Sequence, residues 1–216
     1  AEALERSEEM KSTLLSSVSH DLRSPLTAIK AAVSSLRDST VAWSKGDTEA
    51  FLETIESQAD RLSRTVGNLL EMSRLEAGVT VRFEAVEVGP LLEEVALATA
   101  AATVGRALTT ASAPGLWVRA DYALALQAIT NLVENAAKYS TPGAPIAIEA
   151  ASRPGRVSIR VSDKGPGITV DDLPHIFEKF YRGSKIGTAK GSGLGLALVK
   201  AMVEACGGTV SVASSP

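Results

Sequence analysis

Cysteine is almost absent from this chain of 216 residues. Cys206 stands alone, so neither an internal disulfide nor a cysteine-rich zinc site can be built. Aromatic residues make up only 4%, Lys and Arg are scattered, and the formal charge is −3. Together these exclude the basic, aromatic-studded footprint of a nucleic-acid binder. No apolar run reaches the 18 or so residues a membrane-spanning helix requires, and the first residues carry no signal-peptide pattern. Internal repeats and low-complexity tracts are missing as well. What is present, 45% hydrophobic and 22% charged residues, is enough for the core of a globular protein of one or two domains. A reducing, cytoplasmic setting suits this composition, and the start at Ala1 reads as a fragment of something longer.

Proline is also nearly missing from the first 78 residues, where Pro25 is the only one. There the pattern is helical and periodic. Leu15, Val18, Leu22, Pro25, Ile29, Ala32 and Leu36 recur at spacings of three and four. After a break at Ser44-Lys45-Gly46-Asp47, Leu52, Ile55, Ala59, Leu62, Val66 and Leu69 repeat the rule. This is a heptad seam on two helices joined by a short loop. Asp47 or Thr48 offers a cap for the second helix, and Ala77-Gly78 an end. A hairpin with a seam on both helices buries only part of it internally, so two hairpins pairing into a four-helix bundle is the economical solution. A monomeric helical layer packed on the remaining residues is the alternative.

From residue 79 the texture becomes mixed. Strands are expected at Val79 to Phe83 with Val86, at Leu116 to Val118, and as a hairpin, Ile146 to Ala150 and Val157 to Val161, around Arg153-Pro154-Gly155. Helices are expected from Pro90 to Thr103, across Asn131 and Asn135 behind an Asp121 cap, and from Ser192 to Cys206. A short helical piece is expected at Leu173 to Phe180, and a last strand at Thr209 to Val212. The whole reads as α+β in two domains, 1–78 and 79–216.

The chemistry starts at His20, one of two histidines, in Ser19-His20-Asp21-Leu22-Arg23-Ser24-Pro25-Leu26. On a helix His20 falls opposite the seam, with Ser24 one turn further along the exposed face and Asp21 on the flank. An imidazole titrating near about 6.5 keeps a lone pair free at neutral pH to attack an electrophilic phosphorus. A neighbouring carboxylate can hold or accept the Nδ1 proton. Pro25 removes a backbone donor and crowds the carbonyl of Asp21, loosening the helix beside His20.

Three further boxes follow. Asn131 and Asn135 are one turn apart on a helix, with Lys138 and Tyr139 close behind. Carboxamide oxygens can ligate Mg²⁺, a lysine can meet phosphates, and a tyrosine ring can lie against a base. Asp163, followed by Gly165 and Gly167, ends a strand where the backbone can approach a flat ligand. Gly191, Gly193 and Gly195 open a helix whose first amides suit phosphate oxygens. Leu196 stands where the dinucleotide fingerprint needs its third glycine, and no Gly-x-x-x-x-Gly-Lys-Ser/Thr loop exists.

Along essentially its whole length the chain resembles the catalytic core of two-component sensor histidine kinases. Ser19 to Thr27 resembles the phosphoacceptor box, Asn131 to Tyr139 the asparagine box, and Asp163–Gly167 and Gly191–Leu196 the two glycine boxes. Phe177-Glu178-Lys179-Phe180-Tyr181-Arg182 is similar to the phenylalanine box. Within the family, Ser17 to Arg23 and Val66 to Gly78 are similar to the potassium-responsive KdpD type.

The resemblance implies a dimerising phosphotransfer hairpin at 1–78. It also implies an ATP-binding α/β sandwich at 79–216, of the gyrase, chaperone and histidine kinase type. It implies His20 as acceptor and Asp21 as base. Asn135 would ligate Mg²⁺, Asn131 and Lys138 would lie near the phosphates, and Tyr139 beside the adenine. Asp163 would read the adenine amino group, Arg182 would reach the γ-phosphate, and residues 168–190 would form a mobile lid. The implied partners are a second copy of the chain and a response regulator receiver domain, with no nucleic acid and no membrane contact in this fragment. The setting would be cytoplasmic, within a larger, membrane-anchored sensor.

Two departures stand out. Ser24 occupies a position where the family's dephosphorylation motif favours Thr or Asn, and the sequence stops at Pro216, before the further strand that usually follows the family's last glycine-rich turn, so that strand is either cut off or absent. Two other readings are an ATPase of the same superfamily and a catalytically silent dimeric scaffold. The ATPase would need a glutamate base where this chain has Asn131.

Overall fold

The computed structural model describes residue 19 and residues 22–78, 80–183 and 192–214. The expectations placed on Leu15, Val18, His20, Asp21, Val79 and Gly191, and on the 184–190 part of the lid, lie outside the described residues. The chain forms two compact units, Ala1–Glu71 and Met72–Pro216. None of the described helices is long and apolar enough to cross a membrane.

The first unit is a helical hairpin. Helix α1 covers residues 22–37 and helix α2 runs Lys45–Glu76. Pro25 and Ala32 of α1 and Thr65 of α2 are buried, and Leu22, Ile29, Leu36, Ile55, Leu62 and Leu69 are half-buried. The apolar arc is wider than the face so covered. Leu26 and Val33, seven residues apart on α1, stay exposed, as do Leu52, Ala59, Val66 and Leu70 on α2.

Local polar groups fix the turn between these helices. The Asp38 carboxylate accepts the Thr40 N–H at 2.9 Å and its hydroxyl at 2.6 Å. The Trp43 indole donates to the Ser35 carbonyl at 2.7 Å, occupying an acceptor left open where α1 ends. Helix α2 starts one turn earlier than an Asp47 or Thr48 cap would allow. Ser44 is the cap: its Oγ accepts the Asp47 N–H at 3.1 Å while Asp47 Oδ2 accepts the Ser44 N–H at 3.1 Å. The two residues close a reciprocal capping box, in which Asp47 reaches back rather than forward.

The second unit is α/β. Strand β1 (Glu84–Glu87) pairs antiparallel with β3 (Trp117–Ala120). Strand β2 (Leu108–Ser112) runs parallel to β4 (Ile146–Arg153), which pairs antiparallel with β5 (Arg156–Ser162). Helices α3 (Val88–Ala98), α4 (Tyr122–Tyr139) and α5 (Gly195–Ala205) complete it. Helix α4 is central because two of its faces are apolar. Ile129 and Val133 join Leu91, Leu92, Val95 and Ile148 in one core, while Leu124 and Ala128 join Leu198, Val199 and Met202 in another. Met72 of the last turns of α2 packs into that second core.

Several elements depart from their sequence pattern. Residues 80–83 carry no strand, and β1 begins at Glu84. Helix α3 stops at Ala98, five residues short of Thr103. The chain turns there around Thr99 and Thr103, whose buried hydroxyls donate to the Val95 and Thr99 carbonyls at 2.8 and 2.9 Å. Such back-bonding competes with a regular helix. Strand β2 has no signature in the sequence, since Leu-Thr-Thr-Ala-Ser shows no apolar alternation. Residues 173–180 form turns rather than a helix, and Phe180 at φ +64° cannot continue one. Residues 209–212 join no ladder among the described residues.

Candidate nucleotide site

The amide pair expected on one helix face sits on α4, which is positioned at both ends. At its start Asp121 Oδ1 accepts the Leu124 N–H at 3.2 Å, and Oδ2 accepts the Arg82 N–H at 2.9 Å. The bond from Arg82 holds the carboxyl below its ordinary range, against the opposing effect of partial burial. At the other end the Arg106 guanidinium reaches the carbonyls of Ala137, Ser140 and Thr141.

On and around this helix lie the candidate site residues. A Cβ on Gly195 would come within 3.2 Å of Asn135 Nδ2 and 3.6 Å of its Oδ1, so the start of α5 lies directly against the Asn135 amide. Lys138 Nζ stands 4.7 Å from the Tyr139 ring centroid, within cation–π range. Just past β5, Asp163 Oδ1 accepts the Gly165 N–H at 2.7 Å, and a Cβ on Gly165 would be 3.1 Å from the Tyr139 carbonyl. Gly167 ends the same turn at φ +71°. The structure thus brings Asn135 to Gly195, and the Asp163 turn to Tyr139.

Gly193 links a third segment. At φ +68° it occupies left-handed space, and its carbonyl accepts the Phe180 N–H at 3.0 Å. A Cβ there would fall 2.6–2.8 Å from Phe180 and Tyr181 backbone atoms. The segment before it is anchored by the buried Ile176 and by Asp172, whose Oδ1 accepts the Tyr181 hydroxyl at 2.8 Å. That bond, helped by burial, raises the Tyr181 phenol above its ordinary range. The Ile168 N–H donates to Ser214 Oγ at 2.9 Å, and Lys179 pairs with Glu76. Arg182, one residue past Tyr181, is exposed. In the first unit Ser24 is exposed on α1.

The polar inventory suits a nucleotide. Among the described residues, Asn131 Nδ2 and Thr130 Oγ1 are buried without a hydrogen-bond partner. An unpaired buried donor is costly, and phosphate oxygens are acceptors that could satisfy it. No group of three or more His, Cys, Asp or Glu among the described residues could hold a metal ion alone. The Asn135 side chain offers a hard carboxamide oxygen, of the kind that could hold a magnesium ion together with phosphate oxygens. Sequence reasoning missed Arg106 and Asp172. Arg106 lies in a loop with no motif around it, and the Asp172 partner in the chain, Tyr181, is visible only in three dimensions.

Residues 120–216 match the family of histidine kinase-, DNA gyrase B- and HSP90-like ATPases, and residues 10–78 the His Kinase A (phospho-acceptor) domain. The sensor protein KdpD of Mycobacterium tuberculosis is 37% identical over 230 residues, a match covering 100% of this chain and 26% of KdpD. The histidine kinase AdeS of Acinetobacter baumannii superposes with a TM-score of 0.65 at 25% identity, over 86% of each chain. The histidine kinase ThkA, solved in complex with the response regulator TrrA, shares the fold with a TM-score of 0.73 at 21% identity. That match covers 96% of this chain and 57% of the other. With a phospho-acceptor domain followed by this ATPase domain, and with all of this chain matched to a part of KdpD, the chain belongs to the family of sensor histidine kinase catalytic cores.

Proposed function

We propose that this chain is the kinase core of a sensor, transferring the γ-phosphoryl group of Mg-ATP to His20 and then to an aspartate of a response regulator receiver domain. The observation that carries the reading is the convergence on α4: Asn135 against Gly195, and Tyr139 against the Asp163 turn, in the unit that follows a phospho-acceptor hairpin. The nucleotide would lie with its base at Asp163 and Tyr139 and its phosphates toward Asn131, Asn135, Lys138 and the start of α5. Asp163 Oδ1 is held by the Gly165 N–H, which orients the carboxylate to accept the exocyclic amine of adenine through Oδ2. Helix α5 opens with the amides around Gly193 to Leu196, which favour anionic oxygens. Bound Mg²⁺ would neutralise phosphate charge, with Asn135 Oδ1 as its protein ligand. Arg182 would meet the γ-phosphate from the segment that Gly193 anchors.

In the transfer, His20 Nε2 supplies its lone pair to the γ-phosphorus. The P–N bond forms as the bond to the bridging oxygen breaks, that electron pair leaves with ADP, and the Nδ1 proton passes to Asp21. Ser24, with its exposed hydroxyl, is a candidate to orient water in the reverse, dephosphorylating direction. The open stripe of Leu26, Val33, Leu52, Ala59, Val66 and Leu70 supports a homodimer through the hairpin, closing a four-helix bundle. Because this chain spans only 26% of KdpD, the reading extends to a cytoplasmic core working within a longer sensor.

Incubation with γ-labelled ATP and Mg²⁺ tests the proposal. Label should appear on His20, survive alkali, be lost in acid, and pass to a purified receiver domain. Labelling that persists in His20→Gln would refute it.

A further inference from the structure

We infer that Arg106 is a positioning residue for nucleotide recognition: through Thr141 it locks the asparagine-bearing helix and the Asp163 turn into one register. This rests on the reading of the second unit as an ATP site. The need for such a lock comes from how α4 ends. Its C-cap Ser140 is extended (φ −74°, ψ 157°), so the left-handed glycine cap that usually satisfies the last helical carbonyls is missing. Arg106 supplies the donors instead. Its Nη2 donates to the Ala137 and Ser140 carbonyls at 2.8 and 3.2 Å. Its Nη1 donates to Ser140 Oγ at 2.8 Å and to the Thr141 carbonyl at 2.6 Å. A planar guanidinium can span these acceptors at once, and its charge sits at the negative end of the helix dipole.

Thr141 carries the constraint across. While Arg106 holds its carbonyl, its N–H and its hydroxyl both donate to the Lys164 carbonyl, at 3.4 and 3.3 Å. Lys164 lies between Asp163, whose carboxylate is proposed to read the base, and Gly165, which abuts the Tyr139 carbonyl. The Arg106–Thr141–Lys164 path therefore joins the last turn of α4, with Lys138 and Tyr139, to the turn that recognises adenine. Removing the guanidinium leaves that turn of α4 without its cap and frees Asp163 to shift against Tyr139. Adenine recognition suffers more than phosphate binding, because the phosphate side is set separately by the contact of Asn135 with Gly195.

The test is titration of the 216-residue chain with fluorescent ATP and GTP analogues, each with Mg²⁺, for wild type, Arg106→Ala, Arg106→Lys and Thr141→Val. Circular dichroism fixes a temperature at which each protein is folded. Arg106→Ala should bind the ATP analogue about tenfold more weakly, the loss expected of a charge-assisted hydrogen-bond cluster, with a smaller loss for GTP, so that discrimination narrows. Arg106→Lys should fall between, since an ammonium cannot span the same acceptors, and Thr141→Val should shift the ratio slightly in the same direction. An unchanged ATP-to-GTP ratio in folded Arg106→Ala, whether affinity is kept or both nucleotides weaken equally, overturns the inference. If that variant does not fold, an unchanged ratio in both Arg106→Lys and Thr141→Val does so. A wild-type chain that fails to bind the ATP analogue overturns the nucleotide-site reading itself, a result distinct from the others.

Discussion

Two neighbouring glycines should respond to the same substitution in opposite ways. Gly195→Ala places a methyl group 3.2 Å from Asn135 Nδ2, the movable end of a side chain, at the first residue of α5. Alanine is a better helix former than glycine, by up to about 1 kcal/mol in a helix interior and less at a terminus, so stability should hold or rise. The cost falls on binding. The Asn135 amide has to give way by roughly a few tenths of an ångström, and losing a well-placed charged contact costs about 1.5–3 kcal/mol. That corresponds to about ten- to a hundredfold in nucleotide affinity.

Gly193→Ala differs, because the new methyl meets main chain at 2.6–2.8 Å and the residue sits at φ +68°. The left-handed conformation costs alanine about 1–2 kcal/mol, and overpacking against atoms that cannot rotate aside adds about 1–3 kcal/mol. The second unit should lose about 2–5 kcal/mol, a large fraction of the ~5–15 kcal/mol that holds most domains. Thermal unfolding by circular dichroism, with titration of a fluorescent Mg-ATP analogue, separates the two effects. If Gly195→Ala binds like wild type, or melts as early as Gly193→Ala, the placement of Asn135 against α5 is wrong.

Asp121→Ala should cost about 1 kcal/mol, typical of a lost N-cap, with a further loss because the Arg82 N–H gives up its acceptor; urea unfolding measures it. Since the Asp121 carboxyl is held below its ordinary range, its stabilisation is complete above the unfolded carboxylate range and drains away as pH falls through the lowered folded value. The wild type should therefore lose more stability than Asp121→Ala between pH 5 and 2, both limits chosen as rough brackets of the carboxylate range, and parallel losses would contradict the cap. In the hairpin, Val66→Glu should dissociate the proposed dimer, because it would trade about 1 kcal/mol of burial per subunit for a carboxylate in the seam that dimer would close. Light scattering showing an unaltered dimer mass would place association elsewhere.

The amino-acid sequence determined the order of the two domains and supplied the candidates for the site. His20-Asp21, Asn131 and Asn135, Asp163 and the glycines of 191–195 stand out as candidates because each is marked by spacing along one element or by its residue type. The hairpin was legible for a similar reason: a 3–4 spacing of apolar residues survives any tertiary arrangement. Asp121 as a cap followed from local rules alone. What only the tertiary structure decided is how the boxes meet. That Gly195 lies on Asn135, and that Gly193 fits under the Phe180 backbone, depends on packing between residues far apart in the chain. The split of the apolar arc into a covered and an open stripe follows from which face of each helix meets the other. Strand β2 exists because β4 is beside it, its own alternation being too weak to declare it. Arg106 carries no motif, and its role follows from an extended Ser140 that leaves the end of α4 in need of a donor. Local chemistry is written in sequence spacing, whereas close approach between distant segments is set by the packing of the whole core.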